Sequence, residues 1–83
     1  MNLQEEFDKA VANSKNIPTR PSNDTLLQLY ALYKQATLGD VQGKKPGMFD
    51  LKGQAKYSAW EKIKGKAQEE ATQEYIDLVY SLL

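Results

Sequence analysis

Eighty-three residues, with eleven basic and eleven acidic side chains, carry no net charge, no cysteine and no histidine. That length supports a single domain over 1–83, near the lower limit for a chain that folds without a staple. The missing Cys and His exclude disulfides, iron–sulfur clusters, thiolate zinc sites, the Ser–His and Cys–His nucleophile pairs and the usual general base.

The zero net charge hides a pattern. Residues 1–43 sum to −1, residues 44–66 carry seven lysines against two acids, and residues 67–83 carry four acids and no base. The basic middle, with Phe49, Tyr57 and Trp60 interleaved, has the composition of a surface that faces a polyanion. Nucleic acid is a poor candidate, because it needs a wide basic face. No apolar run approaches the roughly 18 residues of a membrane helix, so stable membrane insertion is not expected. The start, Met1 to Glu6, is acidic without a signal-peptide hydrophobic region. A soluble cytoplasmic monomer is the default expectation.

In chain order, Asn2 with Glu5 three residues on is close to a capping box, and Glu5, Glu6 and Asp8 suit the positive end of a helix dipole. Leu3, Phe7, Ala10 or Val11, and Ser14 mark the buried side of this first helix, which should end near Lys15-Asn16. The two prolines of Ile17-Pro-Thr-Arg-Pro21 make an ordered link. Ser22 caps a second helix running to about Leu38. Its leucines at 26, 27, 29 and 32 lie on two sides, which predicts the most buried element.

Tyr30, Tyr33 and Lys34 fall within one turn of that helix, two phenols beside an ammonium. Such rings either pack in the core with wetted hydroxyls or stack on a flat ligand while donating to a phosphate. Gly39 is a suitable cap residue and Asp40 turns the chain away.

Residues 39–49, rich in Gly and Lys, imitate a phosphate loop. Gly39 to Gly43 is one residue short of the required spacing, Lys45 stands where Ser or Thr belongs, and no strand precedes the loop. A nucleoside triphosphatase is thereby rejected.

Asp50 caps a third helix, about 51–64, predicted to face inward with Leu51, Ala55, Ala59 and Ile63. Lys52 and Lys56 share a face, with Trp60 one turn on. Gly53 costs helix propensity and suggests a close packing approach. Gly65 breaks the chain. The fourth helix, about 67–82, carries Ala71, Tyr75, Leu78 or Val79, and Leu82 on one stripe. Four helices without a strand pattern give an all-α bundle. Together, Tyr30, Tyr33, Lys34, Lys52, Lys56 and Tyr75 fit a phosphorylated aromatic ligand held by ammonium groups. No catalytic or metal-ligating group accompanies them, so the site binds rather than reacts.

The runs Tyr30-x-x-Tyr-Lys-Gln-Ala-Thr-x-Gly-Asp40, Lys45-Pro-Gly-Met48, Asp50-x-Lys-Gly-x-Ala-Lys56 with Ala59-Trp60, and Ala71-x-x-x-Tyr75-Ile-x-x-Val79 resemble the acyl-CoA-binding protein family. The resemblance implies a four-helix up-down-down-up bundle that carries and buffers long-chain fatty acyl-CoA as ligand, with no cofactor. It implies that Tyr30 contacts the adenine end of CoA, that Lys34 and Lys56 hold the 3′-phosphate with the Tyr30 hydroxyl assisting, and that Tyr33 lies in the same site. It places Lys15 and Lys52 near the head group and Tyr75 against the nucleotide. The acyl chain is expected along Val11, Leu26 and Leu27. Acyl-CoA-using enzymes are the implied partners. Two departures stand out: the family commonly has Trp where this chain has Tyr57, and Lys66-Ala67 replaces a Ser/Thr cap before the last helix. The alternative from residues alone is a helical module docking acidic partners through Lys44–Lys66.

Overall fold

The computed structural model describes residues 2–83, with four α-helices: α1 (Leu3–Asn13), α2 (Asn23–Leu38), α3 (Leu51–Lys62) and α4 (Gln68–Leu82). Each of the first three begins at a side-chain cap. Asn2, Ser22 and Asp50 accept the backbone N–H of Glu5, Thr25 and Gly53 respectively. These bonds satisfy donors that the first helical turn leaves free. α1 ends two residues earlier than its periodicity suggested, because Ser14–Asn16 tightens into a 3-10 turn. α3 likewise stops at Lys62, where the chain turns toward Gly65 at φ +94°.

Long-range bonds fix the helix directions. Trp60, late in α3, bonds Gln35, late in α2, so these two helices run the same way. Gln68, at the start of α4, donates to Ala36 and Thr37 at the end of α2, so α4 runs against α2. Asn13 donates to Tyr80, which pairs the two C-terminal ends of α1 and α4. The result is an up-down-down-up bundle in which residues 39–50 carry the chain back along α2. α2 packs on both α3 and α4, and α1 packs on α4.

The core consists of Phe7 and Ala10 from α1, Leu29 and Leu32 from α2, and Ala71, Tyr75, Ile76 and Val79 from α4. Two expectations need correction. α4, not α2, buries the most side chains, because α2 keeps Leu26, Leu27 and Tyr30 half open toward grooves. α3 does not face inward through Leu51 and Ala55. Leu51 is 72% exposed, Ala55 is exposed, and the only fully buried side chain of α3 is Trp60. The N-terminal half of α3 therefore overhangs the bundle.

A polar knot locks the C-terminal ends of α2 and α3. Gln35, 1% exposed, donates through Nε2 to Asp40 at 2.8 Å and to the Lys66 carbonyl at 2.7 Å. Its Oε1 accepts the Trp60 indole N–H at 3.1 Å, and the same N–H reaches the Gly39 carbonyl at 2.9 Å. Asp40 in turn accepts the Gly65 N–H at 2.7 Å. A buried amide is stable only when its donors and acceptor are all met, as they are here. Gly39 makes the turn at φ +85°, a region unfavourable to other residues.

Gly53 has a local explanation rather than an interhelical one. A Cβ there would run into the Asp50 carboxylate that caps the helix. Tyr57 is half-buried and donates to the Gly43 carbonyl at 3.4 Å, tethering the 39–50 link to α3.

Candidate functional site

One face of α2 turns Tyr30, Tyr33 and Lys34 toward the open side of the bundle. Lys34 Nζ lies 5.7 Å from the centre of the Tyr30 ring, and Lys56 Nζ, from α3, lies 5.3 Å from the same centre. Lys34 also stands 6.0 Å from the Trp60 ring. Two ammonium groups on neighbouring helices thus lean over one phenol, each drawn by the negative ring face. Among the described residues the one ion pair joins Lys66 to Glu74, at 2.6 Å. No carboxylate is therefore salt-bridged to either Lys34 or Lys56. Two unneutralised cations flanking an aromatic face suit an anionic group attached to a flat ring.

Tyr33 and Tyr75 join Phe7 in an aromatic trio that spans α1, α2 and α4. The ring centres are 5.2 Å apart for Phe7–Tyr75, 5.9 Å for Phe7–Tyr33 and 6.1 Å for Tyr33–Tyr75. Tyr75 is tilted against both other rings, at 55° and 57°, while Phe7 and Tyr33 stack at 21°, both arrangements that suit the ring quadrupoles. Beside the trio is an open pocket of about 370 Å³, lined by Leu26, Tyr30, Tyr33 and Tyr75 together with Ile17 and Pro21. Burial pushes the Tyr75 phenol above its ordinary value of 10, with the nearby Ser14 hydroxyl pulling the other way. Tyr75 therefore stays a neutral donor throughout the physiological range.

A larger open groove, about 980 Å³, runs between α2, α3 and α4. Leu27, Ala31, Ala59, Ile63 and Leu78 supply its apolar lining, while Asp24, Lys62 and Glu74 are among its polar residues. Leu26 and Leu27 accordingly face different hollows, one the tyrosine pocket and the other this groove. Val11 lines neither; it packs half-buried against the core.

The remaining candidates are dispersed. Lys15 is exposed on the 3-10 turn, one residue from Ser14 of the tyrosine pocket. Lys52 is exposed one turn before Lys56 on the same face of α3. The interleaved aromatics of residues 44–66 do not form one surface. Trp60 is buried, Tyr57 is half-buried, and Phe49 alone is fully out, at 95% exposure. Ile17 and Pro21 were not singled out in the sequence. The signal available was one apolar side chain, Ile17, directly before the two prolines of an otherwise polar link.

Residues 4–79 match the family described as acyl CoA binding protein. The chain belongs to the acyl-CoA-binding protein family. It is 56% identical over 77 residues to acyl-CoA-binding protein homolog 1 of Caenorhabditis elegans, covering 93% of this chain and 90% of the relative. It is also 56% identical over 81 residues to the acyl-CoA-binding protein of Saccharomyces cerevisiae, covering 98% and 90%. Among solved structures, the crystal structure of Oryza sativa acyl-CoA-binding protein 2 superimposes with a TM-score of 0.93 at 46% identity, covering 98% of this chain and 90% of the rice chain. Within this acyl-CoA-binding fold, the Tyr30–Lys34–Lys56 group lies on the open face where α2 meets α3. Among the described residues no group of His, Cys, Asp or Glu has the arrangement of a metal site, and no helix is long and apolar enough to cross a membrane.

Proposed function

We propose that this protein binds long-chain fatty acyl-CoA esters without altering them, buffering and delivering them in the cytoplasm as a monomer. Membership of the acyl-CoA-binding protein family supports the ligand class. The observation that carries the site assignment is the convergence of Lys34 and Lys56 over the Tyr30 ring, with no carboxylate salt-bridged to either.

In this reading the CoA 3′-phosphate, with about two negative charges, sits between Lys34 and Lys56, and the Tyr30 hydroxyl donates to it. Adenine stacks against the exposed phenols, a contact worth roughly 1–3 kcal/mol for nucleic-acid bases. Tyr75 donates as a neutral phenol, and Lys15 and Lys52 attract the remaining phosphates at longer range. The acyl chain runs over Leu26 and Leu27, and Val11 supports the packing beneath. Each methylene taken out of water contributes about 0.8 kcal/mol, so affinity rises steeply with chain length until the apolar surface is filled. Neither a histidine nor a cysteine is present to attack the thioester, and release of intact ligand to acyl-CoA-using enzymes is the corresponding role.

The test is titration of Lys34→Ala and Lys56→Ala with palmitoyl-CoA. A hydrogen bond to a charged group contributes about 1.5–3 kcal/mol, so each variant should bind about 10- to 100-fold more weakly. Their thermal stability should fall by no more than the loss of the cation–π contacts, about 0.5–1 kcal/mol each, because neither ammonium group has an ion pair among the described residues. Unchanged affinity in both variants would refute the assignment.

A further inference from the structure

The link between α2 and α3 leads into the most exposed large apolar residues among those described. Met48 is 74% exposed, Phe49 95% and Leu51 72%. They share no part of the core, of the knot, or of the tyrosine pocket and α2–α3–α4 groove. The tip is held in place from below: Gln54 donates to the Gly47 carbonyl at 2.9 Å, and Asp50 binds the Gly53 N–H at 2.9 Å. Three large apolar side chains on an anchored tip are costly in water and call for an occupant.

The charges around the tip identify it. Lys44, Lys45 and Lys52 are exposed and free of ion pairs among the described residues, and Asp50 is the only acid between positions 44 and 56. Glu69 and Glu70 start α4 at the opposite end of α2, and the remaining nearby acids, Asp24, Glu74 and Asp77, line the α2–α3–α4 groove rather than the tip. From this combination we propose that Met48, Phe49 and Leu51, collared by Lys44, Lys45 and Lys52, form a peripheral docking tip for an anionic lipid bilayer. The apolar side chains enter between headgroups while the lysines meet lipid phosphates and carboxylates. A protein interface is usually served by a flat patch with a polar rim. A single projecting turn, with Phe49 almost wholly out, instead suits a soft, penetrable surface. The next turn of α3 carries Lys56 to the Tyr30 ring, so docking would bring the candidate ligand face to the membrane.

The docking proposal does not depend on the ligand reading, and the vesicle measurement that decides it is made without acyl-CoA. Flotation of the intact protein with phosphatidylcholine vesicles, with and without about one-third phosphatidylserine, measures it directly. Binding is expected to the anionic vesicles alone and to weaken with salt. Each lysine near an anionic surface contributes about a five-fold factor, so Lys44→Ala with Lys45→Ala should reduce binding about 25-fold. Phe49→Ser should reduce it about tenfold or more, with palmitoyl-CoA affinity in solution unchanged. Failure of the parent protein to float with anionic vesicles, or equal flotation of Phe49→Ser, overturns the proposal. Binding to poly-glutamate with no vesicle association would instead assign the tip to acidic proteins.

Discussion

Asp40 illustrates how closely single residues are held at the α2–α3 junction. The Gly65 N–H, the Gln35 amide and the nearby Lys64 all favour its carboxylate, holding its pKa below the ordinary 3.8 against a smaller opposing effect of burial. A depressed folded-state pKa contributes stability that is fully present above the unfolded value and is lost as pH falls through the folded one. Asp40→Asn should therefore be less stable than the parent at pH 6, with the difference closing below about pH 3.8. Urea midpoints at pH 6 and pH 3 check this, and a gap independent of pH would contradict it. The run Tyr30 to Asp40 was legible as a unit, but its division of labour was not. Tyr30, Tyr33 and Lys34 face the candidate site, whereas Gln35, Gly39 and Asp40 tie the helix ends together. Besides Asp40, the partners of Gln35 lie 25 and 31 positions away, at Trp60 and Lys66, beyond the reach of local pattern.

At the level of elements, caps read well and burial read poorly. Asn2, Ser22 and Asp50 each make the expected bond, because an N-cap is chemistry confined to three or four residues. Which helix face is covered depends on neighbours, and periodicity cannot supply them. Leu51 keeps helical spacing with Ala55 and Ala59, yet lies on a turn that projects past the bundle. α4 is the one helix without a side-chain cap, and Ala67 already has the extended geometry of a cap residue, φ −62° and ψ 145°. Ala67→Ser should add about 1 kcal/mol, equivalent to roughly 4–8 °C in Tm for a domain of this size. A melting curve identical to that of the parent would show that the first turn of α4 gains nothing from a cap.

For the whole molecule, helix number and class follow from the sequence alone, whereas helix direction came from the family resemblance. Loop length does not dictate it: residues 39–50 are long enough to lay α3 along α2, but nothing in their composition requires that. The parallel α2–α3 pair is what brings Lys56 beside Tyr30, so the candidate site is a consequence of topology as much as of residue type. Its two halves are separated in space. The aromatic and cationic group lies around Tyr30, and the apolar surface continues over Leu26 and Leu27 into two hollows. In the proposed reading, a ligand with a charged nucleotide at one end and an alkyl chain at the other would use both.

Calorimetric titration with palmitoyl-CoA, run beside free CoA and palmitate, tests that account most directly. It predicts tight one-to-one binding of the ester and binding of each fragment weaker by orders of magnitude, because neither fragment alone fills both halves. Palmitate binding as tightly as the ester would mean a generic lipid groove and would contradict the role given to Tyr30, Lys34 and Lys56.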